Sequence, residues 1–135
     1  MIGRRKELPR ELVEPYAAFL RVLDEIEPAK SGIADVLPST RLPGRPLNDA
    51  VSEFQERLAR ASSAMPTWLC PAVETEWAAC AEGLAQARDR AHRALALDED
   101  PIGFEGLLGT VEQLMDPLDP FVAADERFRS LRRRR

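Results

Sequence analysis

At 135 residues, with 44% apolar and 31% charged side chains, the chain has the size and balance of one globular domain that buries a continuous core without disulfides or metal. No run of about 18 apolar residues is present to span a bilayer, and the basic start of the chain leads into no signal-peptide apolar region, so a cytoplasmic protein without membrane contact is expected. The net charge of −4 is uneven: residues 1–10 carry +3, residues 127–135 carry +6, and the 116 residues between them carry −13.

The first predicted helix draws one apolar stripe through Leu12, Tyr16, Phe19, Leu23 and Ile26, at spacings of 4, 3, 4 and 3. Pro28 is expected to close it. Pro15 either falls in a permissive first turn or kinks a helix that begins at Pro9. Residues 28–47 hold four prolines and two glycines, and this composition predicts a long proline-containing crossover pinned by Ile33, Val36, Leu37 and Leu42. A proline-rich ligand is the weaker reading of Pro43 to Pro46.

A second helix opens at Asn48, a good N-cap, and carries Val51, Phe54, Leu58, Ala61 and Met65 before Pro66 ends it. The third starts at Pro71, which suits a first helical turn, and repeats Val73, Trp77, Cys80, Leu84, Ala87, Ala91 and Ala94. From 71 to 97 it would run about 40 Å. Asp100-Pro101 and Asp119-Pro120 are the start signals of two more helices. One turns Phe104, Leu107, Leu108, Val111, Leu114, Met115 and Leu118 inward, the other Phe121, Ala124, Phe128 and Leu131. No stretch alternates with the strand period. The prediction is therefore an all-α, four- to five-helix bundle forming one domain over 1–135, with a basic N-terminal arm at 1–10 and a basic C-terminal tail at 127–135.

Chemistry-bearing motifs are sparse. His92 is the only histidine, and it lies beside the apolar stripe among Arg88, Asp89, Arg90 and Arg93. Asp89 and His92 have the acid-x-x-His spacing of di-metal bundles, but no second such pair exists, so no metal, cofactor or catalytic residue is expected. Cys70 and Cys80 would stand about 15 Å apart along one helix, beyond disulfide reach. Cys70 lies where a helix N-terminus could activate a thiol, although a small buried side chain is the plainer expectation. Gly103, Gly106 and Gly109 recur every third residue without the strand that a phosphate-binding loop requires. They are expected to admit a close neighbour or to loosen a partner-binding element. Met65, Trp68 and Leu69 at a turn either cover the end of the bundle or form an exposed patch.

The basic ends carry the strongest functional signal. Arg4, Arg5, Lys6, Arg127, Arg129, Arg132, Arg133, Arg134 and Arg135 exceed what a helix dipole uses, and they mark the expected site for a partner or polyanion. The expected function is a non-enzymatic interaction or assembly module of a bacterial cytosolic complex; a scarcity of lysine and asparagine suggests the bacterial source. A protein partner is expected, with nucleic acid at the termini and a homo-oligomer as further options. The alternatives are a small helical subunit of a nucleic-acid-bound complex and a metal- or ligand-binding bundle enzyme using Asp89 and His92.

Overall fold

The computed structural model describes residues 8–35, 45–97 and 103–133. The fold is all-α, and no strand occurs among the described residues. A 3-10 turn, Arg10–Leu12, leads into α1 (Val13–Ala34); α2 spans Arg45–Ala64; a second 3-10 turn, Pro71–Val73, leads into α3 (Glu74–Leu97). The last arm consists of α4 (Gly103–Met115), a 3-10 turn at Asp116–Leu118 and α5 (Asp119–Arg133), with no loop between them.

Side-chain contacts fix the directions. Arg60 reaches Glu25 at 3.3 Å and Arg88 reaches Ser62 at 3.2 Å, while Trp77 meets Pro66 and Arg127 meets Ala72. Numbers fall on one side as they rise on the other between α2 and α3, between α3 and the α4–α5 arm, and between α1 and the arm, where Tyr16 meets Phe128 and Phe19 meets Phe121, so α1, α2, α3 and the α4–α5 arm run alternately up and down, as short connections favour. The stripes face inward as their period requires. Phe19, Ile26, Val51, Phe54, Leu58, Ala61, Val73, Trp77, Cys80, Leu84, Ala87, Ala91, Val111, Leu114, Leu118, Phe121, Ala124 and Phe128 are all buried. Phe19 is the hub, with its ring centroid 5.3 Å from Phe128, 6.2 Å from Trp77 and 6.5 Å from Phe121.

Two boundaries differ from the sequence expectation. Pro28 does not close α1, which continues to Ala34 with the proline inside it. A proline there removes the bond to the Asp24 carbonyl and costs about 3 kcal/mol. The extension buries Ala29 and Ile33 completely, and a buried isoleucine alone contributes about 1.5 to 3 kcal/mol, so tertiary burial offsets the local cost. Likewise α2 begins at Arg45, a turn before the expected cap Asn48, which becomes an interior helical residue. Residues 28–34 and 45–47 of the predicted crossover are thus helical, and 36–44, with Val36, Leu37 and Leu42, lie outside the described residues.

The junction of α4 and α5 has its own chemistry. Pro117 lacks an N–H, so the Gln113 carbonyl four residues earlier has no helical donor; Arg90 of α3 supplies one at 2.8 Å. Gly83 of α3 lies against the same turn. A Cβ built there would collide with the Pro117 carbonyl oxygen and stand 3.2 Å from its carbon, so glycine is what lets α3 and this turn touch through backbone.

Candidate docking surface

The link between α2 and α3 is bracketed by Pro66 and Pro71, which withhold two backbone donors and disfavour helix across it. Cys70 is accordingly extended, with φ −173° and ψ 160°. Leu69 and Cys70 turn into the bundle, Leu69 6% exposed, whereas Thr67 and Trp68 face out, Trp68 57% exposed. Two side chains clamp the link. The Trp77 indole donates to the Pro66 carbonyl at 3.0 Å, and Arg127 Nε donates to the Ala72 carbonyl at 3.2 Å.

This fixed link, the start of α1 and the end of α5 enclose a groove of about 940 Å³ walled by Leu12, Val13, Trp68, Leu69, Pro71 and Leu131. Val13 is 54% exposed. Arg10, Glu11 and Glu14 line it as well. A shallower depression with Ala17, Arg21 and Pro66 shares Glu14, Pro15, Trp68 and Leu69 with it, which makes Trp68 the ridge between two hollows. The two sequence readings of this turn divide between its residues: Leu69 covers the bundle end and Trp68 forms the exposed patch.

The arginines of the predicted tail are drawn into the fold. Residues up to Arg133 belong to α5. Arg127 holds the Ala72 carbonyl, Arg129 pairs with Asp125 at 3.1 Å, and the Arg132 guanidinium lies 5.4 Å from the centre of the Tyr16 ring. Arg132 Nε is shielded from solvent without a hydrogen-bond acceptor; the ring face is its compensation. Arg4, Arg5, Lys6, Arg134 and Arg135 lie outside the described residues.

The remaining candidates are dispersed. His92 is exposed on α3, and Asp89 pairs with Arg93 at 2.8 Å. Among the described residues no three His, Cys, Asp or Glu side chains gather as a metal site. Cys70 and Cys80 are free and buried. Burial, with the Glu76 carboxylate adding to it, pushes the Cys80 thiol from 9.0 up to about 12. The Cys70 thiol borders the groove, but His92 lies on the order of 30 Å farther along the bundle, so the two cannot cooperate within one chain. At Gly109 an added Cβ would meet nothing within 4 Å; Gly103 and Gly106 open α4. Sequence reasoning passed over Gly83 and Val13. Val13 carried a signal, being an apolar residue off the Leu12-Tyr16-Phe19 stripe and therefore bound for solvent. No family model, curated protein or solved structure matches the chain.

Proposed function

We propose that the protein is a non-enzymatic interaction or assembly module of a bacterial cytosolic complex, and that it docks a protein partner at the bundle end carrying Trp68. The observation that carries this reading is a tryptophan 57% exposed on the wall of an apolar groove. Tryptophans seated beside pockets dominate the energetics of protein interfaces, and exposing one to water has no value for the fold. The Trp68 backbone is held by Pro66, Pro71 and the Trp77 hydrogen bond, so docking would sacrifice little order. The basic ends enter as flanks of this groove, since residues 9–12 and Leu131 of α5 line it.

The test is affinity capture from the source cell with the wild-type chain and with Trp68→Glu, whose fold is checked by circular dichroism. Loss of the same retained proteins from the variant supports docking at this groove. An unchanged retained set, or one released by nuclease, overturns it.

A further inference from the structure

We propose that the surface continuing from the groove along α1 pairs with the same surface of a second copy of the chain, the two α1 helices running antiparallel about a two-fold axis at Ala17. This inference names the partner of the docking reading above, on which it rests for the role of Trp68. Besides its core stripe, α1 carries an outward seam. Val13, Ala17, Leu20 and Asp24 recur at spacings of 4, 3 and 4, the period by which helices pair, and all four are exposed. Leu20 is 40% exposed. Trp68 adjoins the seam through the hollow it shares with Glu14, Ala17 and Arg21. Val13, Leu20 and Trp68 are three of the four exposed large apolar side chains among the described residues.

The helical period sets the register. It places Glu14 and Arg21 on one flank of the seam and Val13 and Leu20 on the other. A two-fold axis perpendicular to both helices keeps each flank on its own side and brings residues equally far before and after Ala17 to the same level. Glu14 of each copy therefore meets Arg21 of the other, within about 1.5 Å of helical rise. Val13 meets Leu20 in the same way at the groove wall. Ala17, the smallest side chain of the seam, meets itself where the helices come closest. Asp24 comes about level with Arg10 of the other copy, the two lying seven residues after and before the axis.

Charge selects this partner and this sense. Arg10, Glu14, Arg21 and Asp24 are exposed, and none has an ion-pair partner in its own chain among the described residues. Together they are neutral, and the face is complementary to itself as an isologous interface must be. A parallel pairing would instead set Glu14 on Glu14 and Arg21 on Arg21. Glu11, on the Val13 flank, is the one charge lining the two hollows that this register leaves unmatched. Trp68 beside Glu14 and Arg21 shields their pairs from water, which strengthens them. Two heptads make a small interface, so the dimer is a reversible one that forms in the micromolar range.

The experiment is sedimentation equilibrium of the full chain from micromolar to millimolar concentration, where the mass should rise from 15.1 kDa toward twice that. Glu14→Arg and Arg21→Glu each set like charges opposite one another twice per dimer and should each weaken pairing about tenfold. An equal mixture of the two variants should pair again, since each supplies the charge that the other lacks, and the double variant should recover the wild-type affinity. Ala17→Cys should form an interchain disulfide on mild oxidation, because position 17 meets itself. Glu27→Cys should not, since that position stands about 30 Å from its copy in this register. Wild type that stays monomeric at millimolar concentration overturns the second copy; loss of retained proteins from Trp68→Glu in the capture experiment would then keep the docking reading with a different partner. A dimer indifferent to the charges at 14 and 21, or cross-linked through 27 and not 17, overturns this face and register. A dimer that responds at 14 and 21 but not to Trp68→Glu supports the pairing and overturns Trp68 as the docking residue.

Discussion

Replacing Gly83 with alanine should destabilise the protein even though alanine is the better helix former. In an open helix this change gains about 1 kcal/mol. Here the new methyl group would overlap the Pro117 carbonyl oxygen and stand 3.5 Å from Pro120 Cγ. The obstacle is backbone with proline on either side of Leu118 and Asp119, so it cannot swing aside as a side-chain tip would. Relief requires the whole turn to move off α3, loosening the core cluster to which Leu84, Ala87, Leu118 and Phe121 all belong. Overpacking costs about 1 to 3 kcal/mol and rigid sites lie at the top of that range. Subtracting the helix gain leaves a net loss of about 2 kcal/mol, or about 8 °C in Tm at about 4 °C per kcal/mol for a chain of this size. Gly109→Ala is the control, because its Cβ enters open space; it should gain about 0.5 to 1 kcal/mol. Urea denaturation of the three proteins, with m-values compared, measures both changes. A Gly83→Ala protein as stable as wild type would refute the backbone contact.

Leu84, 2% exposed on α3, should cost about 2 to 5 kcal/mol on change to alanine; a loss below half a kcal/mol in the same titration would show that its stripe does not form the core. Pro28→Ala should stabilise by about 1 to 3 kcal/mol, the restored helical bond outweighing the added freedom of the unfolded chain, and a lower Tm would contradict that account of α1. Cys80 should resist thiol reagents at pH 8 until the protein is unfolded. Because burial raises its folded pKa to about 12 from 9.0, the unfolded thiol ionises first as pH rises, so its contribution is fully present below pH 9 and is lost progressively from 9 toward 12. Wild type should therefore lose Tm more steeply than Cys80→Ala across that interval, and parallel losses would contradict the assignment.

What was legible in the sequence is what is local. The 4, 3 spacing of Val51, Phe54, Leu58 and Ala61 reports a face, and the face is buried, because helix periodicity and burial are the same geometry. The end of α1 was illegible because Pro28 is a local signal that Ile33 overrules through contacts made elsewhere. Gly83 stayed hidden for a similar reason: a lone glycine in a helical pattern reads as a weak position until Pro117, thirty-four residues later, is brought against it. The glycine triplet drew attention by its regularity, yet Gly109 faces open space. At the candidate site, Trp68 and Leu69 could be placed at a turn, but which of them faces water depends on how the link seats on the bundle, where Trp77 holds the Pro66 carbonyl and Arg127 the Ala72 carbonyl. The partners of Arg127, Arg129 and Arg132 were likewise set by tertiary contact, or by the turn of α5 that follows its start at Asp119.

Those partners change what the basic end can do and how it should be tested. Engagement of four to six phosphates by the free tail would give a salt slope of roughly −3 to −5. Arg127 and Arg129 are held by the Ala72 carbonyl and Asp125, and Arg132 packs on Tyr16, so a polyanion that binds this end without displacing them would have to be met by Arg133, Arg134 and Arg135. Three phosphate contacts on duplex DNA correspond to a slope of about −2.7. Cutting the chain after Ser130 is a poor test, because it also removes Leu131 from the groove and Arg132 from the Tyr16 ring. The triple change of Arg133, Arg134 and Arg135 to serine leaves both in place. If the C-terminal end supplies the contacts, any binding of duplex DNA by wild type should show a slope no steeper than about −3, and the triple variant should lose it. A steeper slope, or binding that survives the three substitutions, would move the polyanion contact to Arg4, Arg5 and Lys6 and away from α5.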